Sequence, residues 1–340
     1  MSSLSIGPKD ATRLHKGMAC NPKNRSMLNS HTIHPRVAVL LASHNGEAYI
    51  KEQIDSILSQ DGVSIHIFMS DDGSTDGTLC IAERYKSQCL TVLPPKRFGN
   101  SGQNFLYLLR EAPWQHFDYL AFSDQDDIWL PNKVGSAIRK LKDGQYSGYS
   151  ANVMAFWPDG KYSLVKKSHP QRRRDYLFES GGPGNTFVLP VKSGVHALNL
   201  IRSARSEIVN KIESHDWLIY AIVRENCGRW LIDENPMMYY RQHDKNVSGA
   251  GLSFKRLARK LKMLFGNWYI DQVKSIAEIS GASCWEVDFI NRPSVHKIPI
   301  MLKKSKNLRR RSRDSIILSI ALTAYALRSA FTKASYTNSH

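Results

Sequence analysis

Two groups of aspartates, and one aspartate standing apart, are the residues in this sequence best suited to chemistry. The first group is Asp71-Asp72-Gly73-Ser74-Thr75-Asp76-Gly77, which follows directly on an apolar run. Its glycines permit a turn, and Ser74, Thr75 and Asp76 suit the cap of a following helix. Capping does not account for two adjacent acids where the apolar run gives way to the turn. Held there, Asp71 and Asp72 could accept hydrogen bonds from a base ring N–H and a ribose hydroxyl. The second group is Ser123-Asp124-Gln125-Asp126-Asp127-Ile128-Trp129. Acids packed so closely repel one another unless a cation sits among them. A hard divalent ion, Mg²⁺ or Mn²⁺, takes one or two carboxylates plus phosphate oxygens. The Asp-x-Asp spacing lets one acid reach the metal and the other a ribose or a metal-bound water. An Asp-rich helix cap ahead of Pro131 explains the same residues taken alone.

Asp216 stands at the start of an apolar helical pattern, Trp217-Leu-Ile-Tyr-Ala-Ile-Val223. An acid is favoured at a helix N-terminus, so it is either a stabilising charge or a carboxylate placed to accept a proton. Tyr240-Arg241-Gln242-His243 sets two cationic-capable groups after an apolar strand, with pyrophosphate as a natural counter-charge. A lone His in that position is otherwise a surface or packing residue.

The elements that must position these residues are legible as periodicities. Residues 36–42 form a continuous apolar run of strand length, as expected when both faces of a parallel strand are covered. Ile50, Ile54, Ile57 and Leu58 mark one face of a helix. Strands over 65–69, 91–93 and 119–122 then alternate with helices around 81–85 and 105–109. This β-α alternation predicts an α/β fold with a mainly parallel central sheet flanked by helices. Ligands of such sheets sit at the carboxyl ends of the strands, where both acidic groups fall. Residues 145–190 read as strands with turns, followed by helices over 192–203 and 216–224 and strands near 230–233 and 237–241.

In these motifs the chain resembles the family 2 glycosyltransferases, which carry the GT-A nucleotide-sugar fold. The resemblance runs from about Arg36 to Gly251. It is carried by Val39-Leu-Leu-Ala-Ser-His-Asn-Gly46, Asp71–Asp76, Gly99-Asn-Ser-Gly102 with Asn104-Phe105, Ser123–Trp129, His215-Asp-Trp217 and Tyr240–His243. The subgroup most similar contains bacterial rhamnosyltransferases of O-antigen and capsule assembly. The resemblance implies an inverting transfer of a sugar from a nucleoside diphosphate to a hydroxyl of a glycan or lipid-linked acceptor. Rhamnose from dTDP-rhamnose is the first expectation, and a UDP-linked galactose or glucose is the alternative. It further implies that Ala42, Ser43 and Asn45 contact the nucleotide, and that Asp71 and Asp72 hold the base and ribose with Asp124 nearby. Asp126 would be the principal metal ligand, with His243 approaching the metal or pyrophosphate, and Asp216 the catalytic base. Asn185, Thr186 and Trp217 would lie on the acceptor side. The family often has Tyr-Asn where this chain has His44-Asn45, which leaves the aromatic stack on the base in doubt.

Composition agrees with an intracellular enzyme and sets the tails apart. The five cysteines form no Cys-x-x-Cys pair, which argues against a disulfide scaffold or a zinc ribbon. A cytoplasmic location is expected, peripheral at the inner face of the plasma membrane. Of the net +17, residues 255–340 contribute +12 from seventeen Lys/Arg against five acids, and residues 1–35 contribute +4. That leaves +1 for residues 36–254, a near-neutral middle unlike that of a whole-surface nucleic-acid binder, so no nucleic-acid partner is expected. Residues 1–34 read as a disordered lead-in, 35–253 as the transferase domain and 254–340 as a basic helical extension. Within the extension, 255–264 pattern as a basic amphipathic helix suited to an anionic membrane surface. Arg309–Arg313 repeats that pattern ahead of the apolar Ile316–Leu327, although ordinary packing helices with charged outer faces fit both segments equally. The 12 residues of that apolar stretch fall short of the about 20 needed to span a bilayer. Arg172-Arg-Arg174 reads as a solvated charge run.

Overall fold

The computed structural model describes residues 34–86, 89–242 and 265–337. The expectations for residues 1–33, His243 and the basic segment 255–264 fall outside the described residues.

Strand β1 (Arg36–Ser43) is an inner strand of a seven-stranded sheet. Its alternate residues enter different cores, Ala38, Leu40 and Ala42 on one face and Val37, Val39 and Leu41 on the other. This explains why the run is apolar without alternation. β2 (Ser64–Asp71) and β4 (Tyr119–Ser123) flank it in parallel, and β3 (Leu90–Val92) pairs in parallel with β2. The register aligns Ser43 with Asp71 and Leu41 with Ser123, so the two acidic groups leave the sheet side by side.

Beyond β4 lie β9 (Val188–Pro190), antiparallel to it, then β6 (Gly148–Ala151) and β10 (Trp230–Asp233). A second sheet of four strands has the order β5 (Ile128–Trp129), β11 (Met238–Arg241), β7 (Val153–Phe156) and β8 (Tyr162–Val165). The expected architecture, a mainly parallel sheet flanked by helices, is the GT-A type observed. The smaller sheet, which brings β11 alongside the second acidic group, went unforeseen.

Residues 265–337 are helical and share the main core. Ile270, Val273 and Ile276 of the helix Asn267–Ser280 are buried in one cluster with Leu218 and Ile222. Leu318, Leu322 and Ala326 of the helix Ser312–Thr337 belong to that cluster too. This last helix is 26 residues long, and over Ser312–Phe331 its length and composition would allow it to cross a membrane. The 12-residue apolar stretch therefore understated it: Arg313 and Asp314 pair on the helix surface, and Tyr325, Ala326 and Arg328 continue the same helix.

The run Arg172–Arg174, expected to be solvated, and the basic run Arg309–Arg313 both prove to be structural in part. Arg310 is 5% exposed and pairs with Asp175, which is 0% exposed, at 3.2 Å. It also donates to Ser180 O at 2.6 Å. Arg224 reaches the same Asp175 at 3.1 Å, and Arg309 donates to the Tyr269 hydroxyl at 3.1 Å. Arg174 pairs with Glu225 and Glu286 at 3.5 and 3.9 Å. Buried charges require such partners, and the partners lie far away in sequence. Arg311 and Arg313 remain exposed.

Candidate active site

The first acidic group is built from three strand-end loops. Asp71 accepts from Ser43 Oγ at 2.7 Å, from Ser74 N at 2.7 Å and from Ser74 Oγ at 2.6 Å. Asp72 accepts from Gly99 N at 3.0 Å and from Phe98 N, fixing the loop ahead of the helix Ser101–Glu111. Asn100 caps that helix by accepting from Gln103 N at 2.8 Å, and Asn104 donates to Ser70 O at 3.2 Å. Asn45 takes a left-handed backbone, φ 48°, and accepts from Thr75 N at 2.8 Å. Asn is among the few side chains that tolerate this region. Ala42 points its methyl into the core, so only its backbone is available to a ligand.

Gln125, which the sequence did not single out, ties the two acidic groups together. Its amide accepts from His44 N at 2.8 Å and donates to His44 O at 2.9 Å, as a strand neighbour would. The acids on either side of it converge. Asp127 is fully buried and accepts from Asn185 Nδ2 at 2.5 Å and from Arg241 N at 3.3 Å. Burial, then Asp126 and Asp124, push its carboxyl well above the usual range. Asp124 is pushed up to about 7 by burial, then by Asp126 and Asp216. Asp216 is thus close enough to act on the Asp124 carboxylate, although 92 residues separate them in sequence. Tyr240 lies within the same field: burial and then the charges of Asp124, Asp127, Asp126 and Asp216 raise its phenol. The pairing of Tyr239 with Ile128 puts Tyr240 there, and only the tertiary register reveals it.

Two further groups surround the acids. Lys133 is buried with its ammonium 3.3 Å above the Trp129 ring and has no hydrogen-bond partner among the described residues. Burial draws it down to about 7, against the opposing pull of Asp127. His215 stacks on Phe105 at 3.8 Å, and burial draws it down to about 4, so its ring is neutral at ordinary pH. Asp216 accepts from Ser214 Oγ and from Trp217 N, both at 2.8 Å and both on Oδ1.

Of the three expected acceptor-side residues, Trp217 and Thr186 turn inward. The Trp217 indole is buried and donates to Tyr176 O at 2.9 Å, because its position on the helix His215–Ile222 turns it into the core. Thr186 is buried and donates to Pro183 O at 2.7 Å, closing its own turn. Asn185 turns toward the carboxylates, with its Oδ1 buried and unpartnered among the described residues.

The loop carrying Asn185 presses on the Asp216 helix. A Cβ on Gly184 would lie 2.7 Å from His215 Nε2 and 3.1 Å from Asp216 Cβ. His215 cannot yield, since it is buried against Phe105. Gly184→Ala is therefore expected to displace Asp216, to destabilise by about 1–3 kcal/mol as overpacking does, and to lower turnover. Thermal melts with turnover measurements check this; a variant unchanged in both would show slack between loop and helix.

The model of the glycosyl transferase family 2 matches residues 38–197, the stretch that holds both acidic groups. Over 286 residues the chain is 36% identical to the dTDP-rhamnosyl transferase RfbG of Shigella flexneri, covering 83% of this chain and 98% of that one. This chain belongs to glycosyl transferase family 2. The glycosyltransferase is also 23% identical to an uncharacterized glycosyltransferase of Nostoc sp., covering 66% of this chain and 70% of that one. Among solved structures it is similar to S. aureus TarS 1–349 in complex with UDP, with a TM-score of 0.48, 15% identity and coverage of 90% and 92%.

Proposed function

We propose that this glycosyltransferase moves L-rhamnose from dTDP-rhamnose to a hydroxyl of a glycan or lipid-linked acceptor, with inversion, during cell-surface polysaccharide assembly. The observation that carries the reading is the likeness to the rhamnosyl transferase over 83% of this chain and 98% of that one. Four carboxylates from two separate segments, meeting beside Tyr240, support the chemistry. A lipid-linked acceptor places the work at the inner face of the plasma membrane.

In this reading Asp71 and Asp72 shape the pocket for base and ribose, and Ser43, Asn45 and Gln125 hold its loops in place. The acids fit a divalent cation, because burial, and then the neighbouring carboxylates, force Asp124 and Asp127 toward neutrality. Among the described residues no three ligating side chains form a closed cage. Asp126 with Asp124 would hold Mg²⁺ or Mn²⁺, with phosphate oxygens completing the shell. Such an ion, when bound, neutralises charge on the leaving diphosphate. Asp216 accepts the proton of the acceptor hydroxyl as that oxygen bonds to the anomeric carbon and the bond to diphosphate breaks. The buried Lys133 lies within the field of Asp127, and burial loosens its hold on the proton.

The donor is tested by a thermal-shift panel of dTDP, UDP and GDP, each with and without Mn²⁺. Stabilisation by dTDP that grows with metal is expected, since a ligand of the native state raises stability by mass action. A response to UDP alone would transfer the reading to a UDP-hexose. Asp126→Ala is expected to abolish the metal-dependent part of nucleotide binding, and calorimetry reads this directly. Unchanged affinity with Mn²⁺ would remove Asp126 from the metal site.

A further inference from the structure

The helix Ser312–Thr337 is apolar on the face that should meet water. Ile316, Ile320 and Leu327 are 63%, 56% and 41% exposed. At about 100° per residue these three positions fall within roughly 40° of arc, a row about 16 Å long. The opposite face, Leu318, Leu322 and Ala326, is buried in the main core, and the Tyr325 hydroxyl donates to Ile290 O at 2.9 Å. An apolar face needs cover, and among the described residues the inner face of this helix has it while the row does not. The helix Ile298–Lys304 packs beside it and adds Ile300 and Leu302, 47% and 48% exposed. Around the start of the row the exposed charges are chiefly basic, Lys303, Lys306, Arg311 and Arg313, with Arg313 pairing with Asp314.

We propose that this row is a docking surface for an anionic lipid bilayer, on which the helix lies in the plane of the interface. Its inner face is committed to the protein core, so the helix cannot cross the bilayer even though its length would allow it. The basic residues at its start supply the charge that anionic headgroups complement. The surface rests on the reading that the acceptor is presented at a membrane. It refines that reading, because the element that touches lipid is the apolar row, and two of the arginines beside it are spent inside the protein.

The test is flotation of the full-length protein with vesicles of phosphatidylcholine, with and without phosphatidylglycerol. The parent chain should float with the anionic vesicles only. Ile316→Glu/Ile320→Glu/Leu327→Glu should partition on the order of 10²-fold more weakly. The matching Ser triple should also weaken, which separates lost apolar contact from added repulsion. Thermal melts and dTDP binding confirm that the variants are folded, and should be unaltered since the row lies outside the site. Equal flotation of folded variants, or a parent chain that ignores anionic vesicles, would overturn the surface. A parent chain that is dimeric where the triple variants are monomeric would give the row to a second copy instead. Failure to bind dTDP would count against the donor and leave the flotation result standing.

Discussion

Asp216→Asn is expected to lower turnover by about 10²–10⁴-fold while leaving nucleotide affinity close to that of the parent. The amide keeps the oxygen that accepts from Ser214 Oγ and Trp217 N, so the start of the helix His215–Ile222 should stay capped. What disappears is the second carboxylate oxygen's capacity to take a proton from the attacking hydroxyl. That capacity matters in the transition state more than in the bound ground state, so the loss belongs in turnover. If Asp216 served only as a helix-stabilising charge, the variant would keep its activity and lose at most a little stability. Transfer rate and nucleotide calorimetry, measured on the same preparation, separate these outcomes. Near-normal turnover in a folded variant would move the base elsewhere, and Asp124 would be the next candidate, since the field of Asp216 reaches it.

Arg310→Met should cost about 3–5 kcal/mol of unfolding free energy, because it leaves Asp175 buried with a charge partner missing. Arg224 still reaches that carboxylate, which favours the lower end of the range. Asp175→Asn/Arg310→Met together should recover part of the loss, since the uncompensated charge goes with it. Urea denaturation of the three variants forms the cycle. A single-variant loss below about 1 kcal/mol would place the pair in the class of solvent-screened contacts.

The contrast between Arg310 and Asp71 shows what could be read from the sequence. Asp71 and Asp72 follow an apolar run directly, and the hydrophobic period that defines β2 also fixes where its carboxyl end must be. The same logic located the Asp124–Asp127 group after β4 and the helical start at Asp216. Resemblance carried the reading from there to the family, and the match to the family model agrees. Arg310 is paired with a residue 135 positions earlier, and no local pattern distinguishes a clamped arginine from a solvated one. Tyr240 and Lys133 were hidden for the same reason, since their neighbours come from other strands and from the packing of Trp129. Trp217 stood beside a functional acid in sequence, yet successive residues on a helix diverge by about 100°, and the core took it.

One cluster of buried side chains begins at Ala38 and is not complete until Ala326. The apolar layer on that face of the sheet therefore depends on contacts that close almost the whole chain into a loop. During synthesis the strands that end at Asp71 and Ser123 leave the ribosome well before the helix that covers their layer. At about 5–20 residues per second, the nascent sheet waits roughly ten seconds or more with that face open. Contacts so distant in sequence also slow the search once the chain is released. A protein built this way should rely on chaperones early in its life, and a stop codon only a little upstream of residue 326 should send it to proteases rather than yield a shorter enzyme.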